Sequence, residues 1–163
     1  FPPQIKAITS SQSIGLMTAQ SADLGDLVHT INESLYQTIG VKPDVLMTAQ
    51  SPNARFLCFI IPTSAGPDAL RHITLDLEKR LGSSNGQWSL TPVTIITAIG
   101  TRLNDSPRLL GDILVALDDI PTLTISQGAS HCSLSVVVAP HDTDRALHRI
   151  HTIIHKQKTA MPQ

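Results

Sequence analysis

The 163 residues can form one medium domain or two small ones, and either buries enough surface to fold without disulfide or metal staples. A charged fraction of 15% and a formal net charge of -1 give no electrostatic footprint for nucleic acid or an anionic membrane, and 3% aromatic residues leave no platform for base stacking. With 41% hydrophobic residues and so few rings, the core is aliphatic, built from Ile, Leu and Val.

Phe1-Pro2-Pro3 opens the chain without an initiator methionine, as a piece of a longer polypeptide would. Gln4–Thr9 reads as a short strand cut off by Ser10-Ser-Gln-Ser13, and Ile14–Thr18 as a second strand entering a polar turn at Ala19–Asp23. Leu24, Leu27, Val28, Ile31 and Leu35 then recur at helical spacing, with Ser21 or Asp23 able to cap the helix and Gly40 near its end. Asp44–Gln50 and Arg55–Ile61 are strands joined by the turn-forming Ser51-Pro-Asn53. A helix starts at Pro67, shows Leu70, Ile73, Leu77 and Leu81 on one face, and stops at Gly82. Gln87–Thr91 is one more strand, closed by Pro92, and the sole tryptophan, Trp88, is expected at a sheet edge or a subunit contact.

The second half repeats this order. Val93–Gly100 is an apolar strand, a helix starts at Pro107, the β-rich runs Leu123–Ser130 and His131–Pro140 follow, and a helix runs from about Asp142 to Lys156. Ala69-Leu-Arg-His-Ile-Thr74 aligns with Ala146-Leu-His-Arg-Ile-His151, and Pro62 and Pro140 each close the strand before the aligned helix. Two copies of a strand-helix half argue for duplicated βαββαβ units and an α+β, ferredoxin-like fold with helices on one face of antiparallel sheets, and not for a solenoid. The expected units are 14–91, and 4–9 with 93–156, followed by a polar tail at 157–163. In that arrangement the strand at 4–9 supplies what the second unit lacks, and the first unit is inserted into the second.

Cys58 and Cys132 both fall in predicted strands among apolar neighbours, where buried free thiols in a reducing, cytoplasmic setting are the expected reading. No charged-then-apolar leader and no apolar run near the roughly 18 residues of a membrane span is present, so secretion and insertion have no support. No glycine-rich phosphate cradle with a lysine and metal-binding carboxylates is present either, so no catalytic residue and no cofactor is assigned to this chain.

A free amino acid is a zwitterion, and its site needs amides or a cation for the carboxylate and a carboxylate or carbonyls for the ammonium. The helix start at Leu24–Val28 offers amides, Gly25 allows close backbone approach, and Asp44 offers a carboxylate, with Asp23 and Asp26 adding negative charge. The same residues also read as a cap, a complement to the helix dipole and an ordinary turn residue. Arg102, Asp105 and Arg108 either form a salt bridge and cap around Ser106-Pro107 or mark a second pocket. His148, His151 and His155 share one flank of the last helix; with no carboxylate to orient them they read as a solvated edge and not a zinc site.

Ala98-Ile-Gly100, Gly111-Asp-Ile-Leu114, Ile125-Ser-Gln-Gly-Ala-Ser130 and Asp144-Arg-Ala-Leu-His148 resemble the tandem ACT regulatory region of aspartate kinase, strongly in the second half and more weakly in the first. Those enzymes transfer phosphate from ATP to the side chain of aspartate on the way to lysine, threonine and methionine. The resemblance implies an allosteric, dimerising region attached to a kinase domain of the same polypeptide, with the insertion described above. It implies a free amino-acid effector, lysine or threonine, at Gln20, Asp23, Gly25, Asp26, Leu27, Asp44, Gln50 and His131. Two of these depart from the family pattern: Ala49-Gln50 stands where a serine-glutamate pair is common, and His131 where an acidic residue is expected. Each departure removes a charge-assisted partner worth roughly 1.5–3 kcal/mol, so an assembly module that has lost amino-acid binding is the alternative.

Overall fold

The computed structural model describes residues 3–19, 24–40, 45–50, 54–60, 68–81, 88–128 and 132–160. Its elements are β1 (Gln4–Ala19), α1 (Leu24–Ile39), β2 (Val45–Gln50), β3 (Ala54–Ile60), α2 (Ala69–Leu81), β4 (Trp88–Thr101), α3 (Pro107–Ala116), β5 (Thr122–Gln127), β6 (Ser133–Val138) and α4 (Thr143–Ala160). Short 3-10 turns at Leu103–Asp105 and Pro140–Asp142 precede α3 and α4. The chain divides into a contiguous unit, Gln12–Pro92, and a split unit composed of Phe1–Ser11 and Val93–Gln163.

In the contiguous unit β1 pairs antiparallel with β3 from Ser13↔Ile60 to Ala19↔Ala54, and β2 pairs with the other edge of β3. The helices meet through residues four apart: Ile31 and Leu35 of α1 close with Ile73 and Leu77 of α2 into one cluster. Helix α1 ends where Gly40 takes a left-handed φ of 72° and donates its N–H to the Tyr36 carbonyl. On α2, the Asp76 carboxyl is held below the ordinary carboxylate range, first by the Ser34 hydroxyl of α1 and then by Arg80, one turn on at 2.7 Å. Ser34 itself is shut off from solvent and approaches Asp76 without completing a hydrogen bond of good geometry.

The split unit is a ferredoxin-like α+β layer whose strands run in the order β1-β4-β6-β5, with β6 antiparallel to both neighbours. Alternation along the strands turns Ile96 and Ala98 of β4, and Leu134, Val136 and Val138 of β6, toward the helices. There they pack on Leu109 and Ile113 of α3 and on Ala146, Ile150, Ile153 and Ile154 of α4. Helix α3 begins as its residues dictate, with Ser106 accepting the Leu109 N–H at 3.2 Å and Pro107 in the first turn.

The amino-terminal residues are built into this second core. Ile5 is buried in it and Ile8 packs against it. A Cβ placed on Gly100 would collide with the backbone carbonyl of Gln4, so only glycine admits this approach of β1 to β4. From the other side Gln157 accepts the Ile5 N–H on its side-chain oxygen at 3.1 Å.

Several expectations need correction. The serine-rich stretch does not end a strand: β1 is continuous from Gln4 to Ala19, because from Ser13 onward it has a ladder on β3 and no proline interrupts it. Pro92 does not close β4 either, since it is exposed and its missing N–H falls before the β6 ladder, which starts at Thr94↔Val138. Trp88, the first residue of β4, is only 8% exposed and packs into the α1–α2 cluster. Cys132 is exposed in the turn before β6, because pairing with β4 ends at Ile99↔Ser133. Helix α4 continues to Ala160, so Gln157 is a helical residue with a structural bond and not the start of a tail. Cys58 lies in β3, its side chain outside the described residues, and Pro67 and Gly82 also fall outside them.

Gly100→Ala should lower stability by about 1–3 kcal/mol, the usual cost of forcing atoms into a filled site. Urea denaturation followed by circular dichroism checks this, and a variant as stable as the parent would mean that Gln4 does not lie against β4.

Candidate functional site

The residues expected to contact an effector are distributed as follows. Gln20, Asp23, Asp44 and His131 lie outside the described residues. Gly25, Asp26 and Leu27 belong to the first turn of α1, and Gln50 ends β2 opposite Arg55 of β3; the side chains at these four positions are likewise not among those described. The backbone therefore places three of the eight at a helix N-terminus.

The corresponding turn of the split unit, between β4 and α3, is described almost completely. Gly100 donates its N–H to the Cys132 carbonyl at 2.8 Å, holding the end of β4 to the start of β6. Two residues on, Arg102 takes a left-handed φ of 50°, and its Nε lies 3.4 Å from Asp105 Oδ2. Leu103, 1% exposed, anchors the turn in the core while Asp105 and Ser106 donate their N–H groups back to Arg102 and Leu103. Across from it Gly128 donates to the Ser133 carbonyl at 2.9 Å, closing the β5–β6 end. The salt bridge and the Ser106 cap are thus both present. Arg108 is not part of this pairing; it lies in the first turn of α3 and faces a cleft toward α4.

A second electrostatic feature joins α4 to the end of α3. Arg149 makes a two-pronged contact with Asp119, Nη1 to Oδ1 at 2.7 Å and Nη2 to Oδ2 at 3.0 Å, and Nη1 also reaches the Ala116 carbonyl at 2.9 Å. This hydrogen bonding holds the Asp119 carboxyl below its ordinary range and raises Arg149. At the head of α4, Asp142 is 6% exposed and lies between His141 at 3.4 Å and Arg145 at 3.7 Å. Sequence reasoning passed over Asp119, Asp142 and Arg149. The one usable signal was Asp118-Asp119 directly after a helix, with arginines spaced along the next one.

His148, His151 and His155 are all exposed on α4, and among the described residues no group of three His, Cys, Asp or Glu side chains is placed to hold a metal ion. No described helix is long and apolar enough to cross a membrane.

Comparison with known proteins follows the division of the fold. Residues 96–153, all within the split unit, match the family model described as ACT domain. Over 163 residues the chain is 23% identical to the chloroplastic bifunctional aspartokinase/homoserine dehydrogenase 1 of Zea mays, covering 96% of this chain but 18% of that protein. The chain thus spans under a fifth of the curated relatives it matches. Among solved structures, the ligand-free regulatory subunit of aspartate kinase from Thermus thermophilus superposes with a TM-score of 0.63 at 15% identity, covering 91% of this chain and 97% of that one. E. coli aspartokinase III in complex with lysine and aspartate gives a TM-score of 0.58 at 15% identity, covering 93% of this chain and 33% of that one.

The Asp119–Arg149 pair carries a pH signature whose sign is fixed. A carboxyl whose pKa is lower in the folded than in the unfolded state adds stability that is complete above the unfolded value and is lost as pH falls through the folded one. Asp119→Asn should therefore denature at lower urea than the parent at neutral pH, and the two midpoints should converge as pH drops below about 4. A gap that persists unchanged in acid would assign the effect to something other than this pair.

Proposed function

From an ACT domain at residues 96–153 and homology along the chain to the regulatory regions of aspartokinases, we infer that this polypeptide is the allosteric region of an aspartate kinase. The observation that carries the reading is that similarity does not stop at the ACT match: it runs through 96% of the chain and takes in both compact units. In this reading the contiguous stretch, expected as 14–91, is the first ACT unit and is inserted into the second, and the pair dimerises. End-product binding is then coupled to a catalytic domain that transfers phosphate from ATP to aspartate. The bound lysine named for the E. coli enzyme makes lysine the first effector to test, with threonine next.

A ligand shifts such an equilibrium only by the difference in its affinity for the two arrangements. An effector held at a contact between two copies has that difference built in, because the site exists only where the copies meet. On this proposal the amides at Gly25, Asp26 and Leu27 take the effector carboxylate, and Asp23 and Asp44 take its ammonium and cationic side chain. Gln20 and Gln50 complete that lining, and His131 holds the corresponding position of the split unit's own site.

A second reading has its own support. Gln50 and His131 replace two charges, and in the split unit the charged residues of the turn, Arg102 and Asp105, are engaged with each other. That pattern suits a pair of units that assembles without an effector.

Calorimetry on the folded chain separates the two. Lysine or threonine should bind with a dissociation constant in the millimolar range or below, and Asp44→Asn should weaken that binding about 10-fold or more, the cost of one charge-assisted bond. No heat with either amino acid, or with methionine, at millimolar concentration would leave assembly as the function.

A further inference from the structure

Strand β5 is the outer strand of the split unit's sheet, and among the described residues its ladder is with β6 alone. An edge of this kind presents a row of backbone amides and carbonyls to any extended chain, and proteins commonly blunt it with proline or charge. Thr122–Gln127 contains neither. Its one irregularity, a register shift between Thr122 and Thr124, falls at the start and leaves 124–127 regular. Ile125 pairs with Val136 of the helix-facing core, so it stands on the helix side of the sheet, yet it is 41% exposed.

Helix α3 continues this surface. Arg108, Asp112 and Ala116 line the cleft toward α4, and Pro107, Gly111 and Leu114 lie on the side of the helix turned away from it. Leu114 is 49% exposed. A Cβ added at Gly111 would meet nothing of its own chain, so no internal contact calls for glycine there, although glycine is a poor helix former. An uncovered backbone beside an exposed leucine admits a close approach from outside. The ends of α3 are also charged against its dipole: the first turn has no acidic residue, the last turn has no basic one, and exposed Asp118 follows.

These features fit one occupant, a second copy of the chain. A twofold axis turns α3 antiparallel to its copy, and a pair centred between Gly111 and Leu114 seats each Leu114 on the partner's Gly111. The same register brings each Asp118 beside the partner's Pro107, at the positive helix end that lacks an acid. Strand β5 likewise runs antiparallel to its copy, and because it carries no charge, no like charges come face to face. We propose that the β5 edge and the outer side of α3 join the split unit to a second copy of itself, with Ile125, Leu114 and Gly111 at the contact. This deepens the dimerisation proposed above and rests on it, and it names a surface apart from the effector residues of the contiguous unit.

Sedimentation equilibrium on the whole chain at about 100 μM tests it. The parent should show twice the mass of Ile125→Lys and of Leu114→Asp, with both variants keeping the parent circular dichroism. Gly111→Gln should keep or raise the urea midpoint and still weaken association about 10-fold or more, a split that loss of folding does not produce. Leu75→Lys, at a leucine 48% exposed on α2, should leave the mass unchanged. Hydrogen exchange at the amides of 124–127 should slow as the concentration rises. A parent that stays monomeric overturns this proposal and the dimerisation together. Association of unchanged strength in the three contact variants, or exchange in β5 indifferent to concentration, overturns this surface alone. Lysine or threonine binding measured by calorimetry should survive Ile125→Lys, so the effector reading fails separately.

Discussion

The split unit depends on one close approach, that of the Gln4 carbonyl to the bare Cα of Gly100. Any side chain at Gly100 would hold β1 away from β4, and the core would then lose Ile5 and its contact with Ile8. The bond from Ile5 to Gln157 at the far end of α4 secures the same segment from the other side. A strand that contributes few apolar residues is thus held by backbone geometry at one flank and a side-chain acceptor at the other. The packed layer of α3 and α4 is complete only when it is in place.

Much of this architecture was legible because it follows from local chemistry. Ser106-Pro107 announces α3, Gly40 ends α1, and the four-residue spacing of Ile31 with Leu35 and Ile73 with Leu77 gives the helical faces that meet. What was misread depended on partners distant in sequence. Ser10 to Ser13 and Pro92 look like interruptions until it is known that ladders begin at Ser13 on β3 and at Thr94 on β6. Cys132 looks like a strand residue until the register shows that β6 begins one position later. Trp88 could not be placed because its cluster takes in Ile31 and Leu35 of α1, more than fifty residues before it in the chain.

The candidate sites divide in the same way. The turn between β4 and α3 was open to two readings, and the observed bonds among Arg102, Asp105 and Ser106 favour the self-contained one. Asp119 and Arg149 lie thirty residues apart, and no local pattern joins them. Electrostatics of this kind is a property of the packed helices. It becomes readable only after the apolar stripes have fixed which faces meet.

Splitting one unit across the other also imposes an order on biosynthesis. Chains emerge amino end first at about 5–20 residues per second, so the opening ribbon leaves the ribosome several seconds before the strand that must receive it. Through that interval Ile5 and Ile8 have no core to enter, whereas the stretch ending at Pro92 can already close on itself. The second core must form late, by a long-range capture, and a translational pause shortly after Pro92 is where the nascent chain is most exposed to pairing with the wrong neighbour.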